Sequence, residues 1–444
     1  MSQMDHAERG AVSSSLGGSR RKLVENILSL YGLLSLYYLI PLAVLPYLVR
    51  VLGIEMYGLM AFSQSFAQYF TTFTDYGFNF SATRSIAESQ SDHAEISKIF
   101  CAVYLIKWSL TLLGFVGLAF IVAFVPRFTG EWRFFFLAYL AVAGNVLFPT
   151  WYFQGVEKMR YISLIVGSTR VLAASLLFVF IHSPGDALKA LAIQSAGTLV
   201  CGIVGIVVAV RSFRLVLSWP GRARLCNTLK DGWHLFLSSA AMGLYTNTNV
   251  FLVGTLAGNI QAGYFSAAER LLRAMQALIV PIIQATFPHV SKLLSESKDL
   301  ALQFLRRSVR WTVGLTLIPS TIMLVFATPV TLLCFGHNAA GSISVIRWIA
   351  FLPVLSAISN VLGVNTMIPF GMDKQFSRVV LVAGVVNIVL ASVLSKVYGA
   401  NGAGCSILVA ELIVVWGILI SLEKSGIQIR SLIFAPAQGS EGAR

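Results

Sequence analysis

Long apolar runs fill this chain almost from end to end, which leaves it few ways to fold. Twelve of them can be marked, at 26–49, 57–83, 98–123, 132–153, 160–182, 188–210, 232–256, 262–288, 308–329, 343–368, 377–397 and 402–422. A helix crosses a bilayer in about 20 such residues. Hydrophobic residues make up 56% of the chain and charged ones only 12%, about half the charged share of a soluble domain. A soluble protein this apolar could not cover its surface. Membrane barrels are built from alternating strands of about ten residues, and no such alternation is present. The chain reads as an all-α integral membrane protein with twelve transmembrane helices.

The runs fall into two sets of six. Gly155-Val156-Glu157-Lys158 is echoed by Gly371-Met372-Asp373-Lys374 at an offset of 216. A second stretch, Leu52 to Gly58, lines up with Leu256 to Gly263 through one insertion, so that Gly58 and Gly263 stand 205 apart. Duplication of one long unit explains both offsets. The expected organisation is a tail at 1–25, a six-helix bundle at 26–210, a linker at 211–231, a second bundle at 232–422 and a tail at 423–444. Six spans per half make this a parallel repeat, with the bundles around a central cavity. In the linker, apolar residues alternate with Arg211, Arg214, Arg222 and Arg224, which suits either a helix lying on anionic lipid or a plain basic connector.

Lys and Arg set the orientation. Those at Arg9, Arg20, Arg21, Lys22, the linker, Lys158, Lys298, Arg306, Arg307, Lys374 and Lys424 fall on one side. Only Arg50, Arg127, Arg133, Lys189, Arg347 and Lys396 fall on the other. Both termini are therefore expected in the cytoplasm, with membrane lipids as neighbours. The polar start lacks an apolar segment before a cleavage site, so the first span is expected to act as an uncleaved signal. This asymmetry also accounts for the net charge of +14, and no nucleic acid is implied. Five scattered cysteines carry neither metal-ligand spacing nor a disulfide framework. Phosphate loops, zinc-binding His-Glu pairs and nucleophile elbows are absent from the sequence. No catalytic residue, cofactor or metal is expected, and the chain does not read as an enzyme.

Ionisable groups inside spans are costly and mark cavities or internal pairs. The densest set is Glu269, Arg270 and Arg273. Glu269 and Arg273 are four apart and can pair, while Arg270 points about 100° away as the freer cation. The Gly58/Gly263 alignment matches Glu269 with Gln64 and Arg273 with Gln68, as for facing walls of one cavity. An ion pair locking two helices is the simpler alternative. Asp75 reads as a lone carboxylate able to exchange protons, or as a partner for Arg84 or another basic residue. Glu411 and Arg170 look isolated, and Lys107 is expected to snorkel to the interface. The run Tyr245-Thr246-Asn247-Thr248-Asn249 offers groups for hydroxyl-rich ligands or for helix packing. Prolines 41, 46, 281, 288, 319, 353 and 369 suggest kinks.

Several of these stretches resemble a known family. Leu30-Tyr31-Gly32, then Pro41 through Gly53 and Tyr57-Gly58, is similar to the start of Wzx-type O-antigen repeat-unit flippases. So are Asp75 through Arg84, and Trp151-Tyr152-Phe153-Gln154-Gly155 before Glu157-Lys158-Met159. The resemblance places the chain in the multidrug/oligosaccharidyl-lipid/polysaccharide exporter group. It implies that a polyprenyl-diphosphate-linked oligosaccharide moves from the cytoplasmic to the outer leaflet of a bacterial inner membrane by alternating access. A polysaccharide polymerase and a chain-length regulator are then the expected partners. Cavity cations would receive the diphosphate, with Arg50, Arg84, Arg270 and Arg273 suitably placed and Gln64, Gln68, Asn247 and Asn249 beside them. Asp75, Glu269 and Glu411 are the candidates for proton coupling. Two alternatives remain: a multidrug or cation antiporter of the same group, and a membrane glycosyltransferase or polysaccharide polymerase, which would need larger acid-bearing loops.

Overall fold

The computed structural model of the protein describes residues 40–427, apart from 91, 213, 214, 217, 218 and 278 and the side chains of 244–246. The expected N-terminal tail, the C-terminal tail from 428 on, the first part of the first span, and the side chains of Tyr245 and Thr246 lie outside the described residues. What is described is helical, with no strand. The chain runs α1 (40–75), α2 (Phe78–Glu88), α3 (His93–Phe124), α4 (Pro126–Thr129), α5 (Trp132–Leu147), α6 (Thr150–Gly155), α7 (Met159–Phe180) and α8 (Ala187–Ser212). The second half follows as α9 (Arg222–Leu256), α10 (Asn259–Gln276), α11 (Val280–Glu296), α12 (Lys298–Val325), α13 (Ala327–Phe335), α14 (Gly341–Ile349), α15 (Leu352–Ser359), a π-helical turn (Asn360–Met367) and α16 (Asp373–Lys424).

Among the described residues, eight helical stretches are long and apolar enough to cross a membrane, or nine if the bent pair α10–α11 counts as one. The protein is a multi-pass membrane protein. Two of the stretches, Ile40–Glu88 and Asp373–Lys424, have 49 and 52 residues. At 1.5 Å per residue each would be more than twice the ~30 Å hydrocarbon thickness. Both are interrupted by a glycine in the left-handed region, Gly53 at φ +76° and Gly399 at φ +57°, and α16 is two helices meeting at Gly399.

The second expected span ends earlier than its apolar pattern suggests. Helix α1 stops at Asp75, and Tyr76 (φ +44°) and Gly77 (φ +75°) turn the chain into α2. Gly77 is needed twice over. Its backbone is left-handed, and a Cβ would stand 2.8 Å from the Leu235 Cβ and 2.9 Å from the Phe236 nitrogen of α9.

The two glycine-acid-lysine loops close alike, but two residues out of register. The Lys158 N–H donates to the Phe153 carbonyl and the Met372 N–H to the Met367 carbonyl, each at 2.8 Å. These are the long-range bonds of a Schellman closure, whose left-handed residue is Glu157 in one loop and Gly371 in the other. Gly155 does a different job. A Cβ there would meet the Ile86 Cβ at 2.8 Å, so its lack of a side chain lets α6 approach α2.

Three apolar cores are present among the described residues. One joins both halves, packing Leu45, Phe62, Phe135 and Leu191 with Phe265, Phe335, Ile346 and Ala400. The other two belong to separate halves, around Phe100, Trp151 and Phe153 in the first and Ile283, Leu305 and Ile418 in the second. The halves therefore share a core at the end that carries Phe128 and Ala400, and have their own toward the other end. Helix α9 straps across the divide, with Leu225 and Leu229 packed against the first-half core and Arg224 paired to Glu95 at 2.6 Å. The linker does not simply face lipid. Leu215 is buried against the first half, and the Val216 N–H donates to the Ser97 hydroxyl, although the Val216 and Trp219 side chains are exposed.

Candidate functional site

Helices α1 and α10 cross at Gly58 and Gly263. A Cβ on Gly58 would lie 2.6 Å from the Gly263 nitrogen and against the Asn259 carbonyl, and one on Gly263 would meet the Ile54 carbonyl. Only glycine permits this approach, which brings the polar faces of the two helices together. Beside the crossing, Arg127 donates to the Gly254 carbonyl at 2.7 and 3.1 Å and to the Asn259 Oδ1 at 2.5 Å. Its guanidinium also lies 5.0 Å from the Phe62 ring centroid. Phe66 stacks on Phe251 at 5.5 Å, and the Tyr69 hydroxyl donates to Thr248 at 3.0 Å. Aromatic rings and one arginine thus seal the halves at this end.

Beyond the seal lies a cavity of 380 Å³ lined by both halves, with Gln64, Gln68, Asn145 and Gln194 facing Asn247, Glu269, Arg270 and Arg273. Arg270 donates to the Gln64 Oε1 at 3.0 Å and lies 5.7 Å from the Tyr57 ring centroid. Gln64 in turn donates to Gln194 at 2.8 Å. No carboxylate pairs with Arg270 among the described residues. Arg273 pairs with Glu269 at 2.8 Å, so that acid–base couple is internal to α10.

The space continues on either side. Toward the first half, a cavity of 550 Å³ shares Gln68, Asn145, Gln194, Thr198 and Arg270 with the central one and adds Arg170. Toward the second half, a cavity of 290 Å³ shares Glu269 and Arg273 and adds Asn249, Gln276, Asn360, Asn387 and Glu411. Glu411 is not isolated, because it accepts a hydrogen bond from the Ser359 hydroxyl at 2.7 Å. Asn249 is buried and accepts from Asn387 at 3.3 Å.

Four residues singled out in the sequence lie elsewhere. Arg50 is at the surface and donates to the Leu333 carbonyl. Arg84 is 82% exposed and pairs with Glu88 on its own helix at 2.8 Å. Asp75 is not a lone carboxylate. It pairs at 2.9 Å with Lys107, whose side chain is only 2% exposed, so this lysine does not snorkel. The cause is the helix end at Asp75, which turns the carboxylate toward α3. Asn145, Gln194, Gln276, Asn360 and Asn387 were missed. Each is an uncharged amide amid apolar neighbours, a signal that scanning for charges passes over.

The comparisons with known proteins agree with this architecture. A family model described as "Polysaccharide biosynthesis protein" matches residues 23–294, more than half of the chain. The chain belongs to this family. A protein of Escherichia coli (strain K12) named "Putative O-antigen transporter" is 30% identical over 401 residues, 89% of this chain and 95% of that protein. Among solved structures, the inward closed conformation of the lipid II flippase MurJ has a TM-score of 0.63 at 12% identity, covering 85% of this chain and 86% of that one. An inward-facing multidrug resistance MATE family transporter of the MOP superfamily has a TM-score of 0.61 at 16% identity, covering 88% and 98%. These likenesses show the fold. The resemblance read from Pro41–Gly58, Asp75–Arg84 and Trp151–Lys158 is thus borne out at the level of family and fold.

Proposed function

We propose that this protein is a flippase that carries a polyprenyl-diphosphate-linked oligosaccharide from the cytoplasmic to the outer leaflet of a bacterial inner membrane. A diphosphate bearing sugars cannot cross ~30 Å of hydrocarbon unaided. A cavity must replace its water with cations and hydrogen-bonding groups while the lipid tail stays outside. The observation that carries the reading is Arg270, held by neutral Gln64 at 3.0 Å in a cavity lined by both halves. A guanidinium with no bonded carboxylate can offer its remaining donors to a diphosphate. The same cation argues against an organic-cation antiporter. The E. coli relative named for O-antigen transport and the MurJ likeness support this substrate class.

In this reading the chain crosses the membrane twelve times as two parallel six-helix repeats, with both termini cytoplasmic. Breaks at Gly53 and Gly399 and the crossing of Gly58 with Gly263 support that layout. The shared core at the Arg127 end and the separate cores at the other fit a state closed outside and accessible from the cytoplasm. Rocking of the halves about that core would give alternating access. Protons are the proposed driving ion, bound by Glu269 or Glu411, which line the connected cavities. Asp75, already tied to Lys107, is the weaker candidate. A polymerase and a chain-length regulator would receive the product. Arg270→Ala at normal membrane abundance should abolish surface polysaccharide, and Arg270→Lys should retain part. Full polysaccharide from the alanine variant would remove the assignment.

A further inference from the structure

The cavities on the two sides of α10 have opposite chemistry. The first-half cavity carries Arg170 and Arg270 and, among the described residues, no carboxylate. The second-half cavity carries two carboxylates, Glu269 and Glu411, and one cation, Arg273, which is committed to Glu269. Amides add further acceptors there. Gln276 donates one amide hydrogen to the Ser356 hydroxyl at 2.9 Å, and Asn360 donates one to the Ser356 carbonyl at 2.7 Å. Neither Oε1 of Gln276 nor Oδ1 of Asn360 has a partner among the described residues, and both side chains line the cavity.

Diphosphate oxygens are acceptors only and carry negative charge, so this wall offers them little and repels them. Sugar hydroxyls are donors as well as acceptors, and carboxylate and amide oxygens suit them. The Phe376 ring and Val380 add apolar surface to the same cavity, against which the C–H face of a sugar ring can pack. A bound monovalent ion is a poorer fit. At 290 Å³ the space has room for many waters and is far larger than one dehydrated ion fills.

We infer that the second-half cavity reads the glycan while the diphosphate stays on the Arg270 side, with Gln276 and Asn360 as specificity-determining residues. This rests on the flippase reading, because it divides that substrate between two halves of one site. Substrate choice would then be set in the second half, and affinity for the shared diphosphate in the first.

Two probes separate the roles on the purified full-length protein: farnesyl diphosphate, which has no sugar, and the lipid-linked glycan extracted from the organism that makes this protein. The Gln276→Ala/Asn360→Ala double variant should bind the glycolipid about tenfold more weakly while farnesyl diphosphate binding stays within about twofold. Retained farnesyl diphosphate binding also shows that the variant is folded. Arg270→Ala should weaken both probes. Equal loss of both probes in the double variant, or loss of neither, overturns the inference. So does a changed sodium or pH dependence of farnesyl diphosphate binding with glycolipid affinity intact, which would make this an ion site. If Arg270→Ala spares farnesyl diphosphate while the double variant still loses the glycolipid selectively, the glycan site stands and the Arg270 assignment fails. A wild-type protein that binds neither probe removes both.

Discussion

Replacing Gly58 by alanine tests whether the α1–α10 crossing is as tight as described. The added methyl would stand 2.6 Å from the Gly263 nitrogen and closer still to the Asn259 carbonyl, where ordinary contact begins at 3.4 Å. The carbonyl contact governs, so the helices must separate by about 1.5 Å to restore ordinary contact, and because the opposing atoms are backbone, no side chain can swing aside. Overpacking of this kind costs about 1–3 kcal/mol, offset by ~0.5–1 kcal/mol of helix propensity gained on replacing glycine. Gly117→Ala is the matched control. It lies inside α3 with nothing within 4 Å of its Cβ position, so only the favourable propensity applies. In detergent, Gly58→Ala should lower the thermal unfolding midpoint by a few degrees, and Gly117→Ala should leave it level or raise it. The opposite signs make the test robust to detergent choice. A Gly58→Ala protein melting at or above wild type would refute the crossing.

Further outcomes follow from the other charged side chains. Asp75→Asn strands the buried Lys107 ammonium and should destabilise strongly, by about 3–5 kcal/mol. Lys107→Met should cost less, because the Asp75 side chain is 33% exposed and keeps some water. The double variant should recover most of the loss, and a melting series in which the two singles simply add would contradict a direct pair. Arg127→Ala removes bonds to Gly254 and Asn259 that tie the halves together. It should lower the melting midpoint and flipping rate together, with Arg127→Lys between it and wild type; an unchanged midpoint would show that the seal does not depend on Arg127. Arg84→Ala, at an 82% exposed surface pair, should leave surface polysaccharide and midpoint unchanged, and a clear transport defect would return Arg84 to the substrate path. If protons drive transport, reconstituted protein should flip faster under an imposed pH gradient, and Glu269→Gln or Glu411→Gln should blunt that response.

How far the sequence could be read depended on the kind of signal. Apolar length is a strong one, so the all-helical membrane class and most helix positions were legible from the runs alone. Turn chemistry was less so. Tyr76 and Gly77 end α1 inside an apolar stretch, because Gly77 answers to Leu235 and Phe236 on a helix 158 residues away in the chain, and no local pattern reports such a contact. The glycine-acid-lysine pair pointed to equivalent loops, yet hydrogen bonding sets their register two residues differently, since Glu157 tolerates the left-handed position that Gly371 occupies in the second copy. At the site, Arg270 was visible because charge in a span is conspicuous, and Gln64 because the Gly58/Gly263 alignment pairs it with Glu269. Lys107 misled because a long side chain near a span end can snorkel as readily as pair, and only the position of Asp75 decides between them. The second-half cavity was hidden. Its amides come from α9, α10, the π-helical turn at Asn360–Met367 and α16, and spacing along the chain does not bring them together.

In the proposed function a lipid-linked diphosphate glycan crosses the membrane past Arg270. The most direct test is flipping in proteoliposomes loaded with the lipid-linked glycan of the organism that makes this protein, scored by access of an impermeant sugar-modifying enzyme to each leaflet. Wild-type protein should equilibrate the glycolipid between leaflets, Arg270→Lys should do so more slowly, and Arg270→Ala should match protein-free vesicles. Equilibration by Arg270→Ala at the wild-type rate would contradict the account.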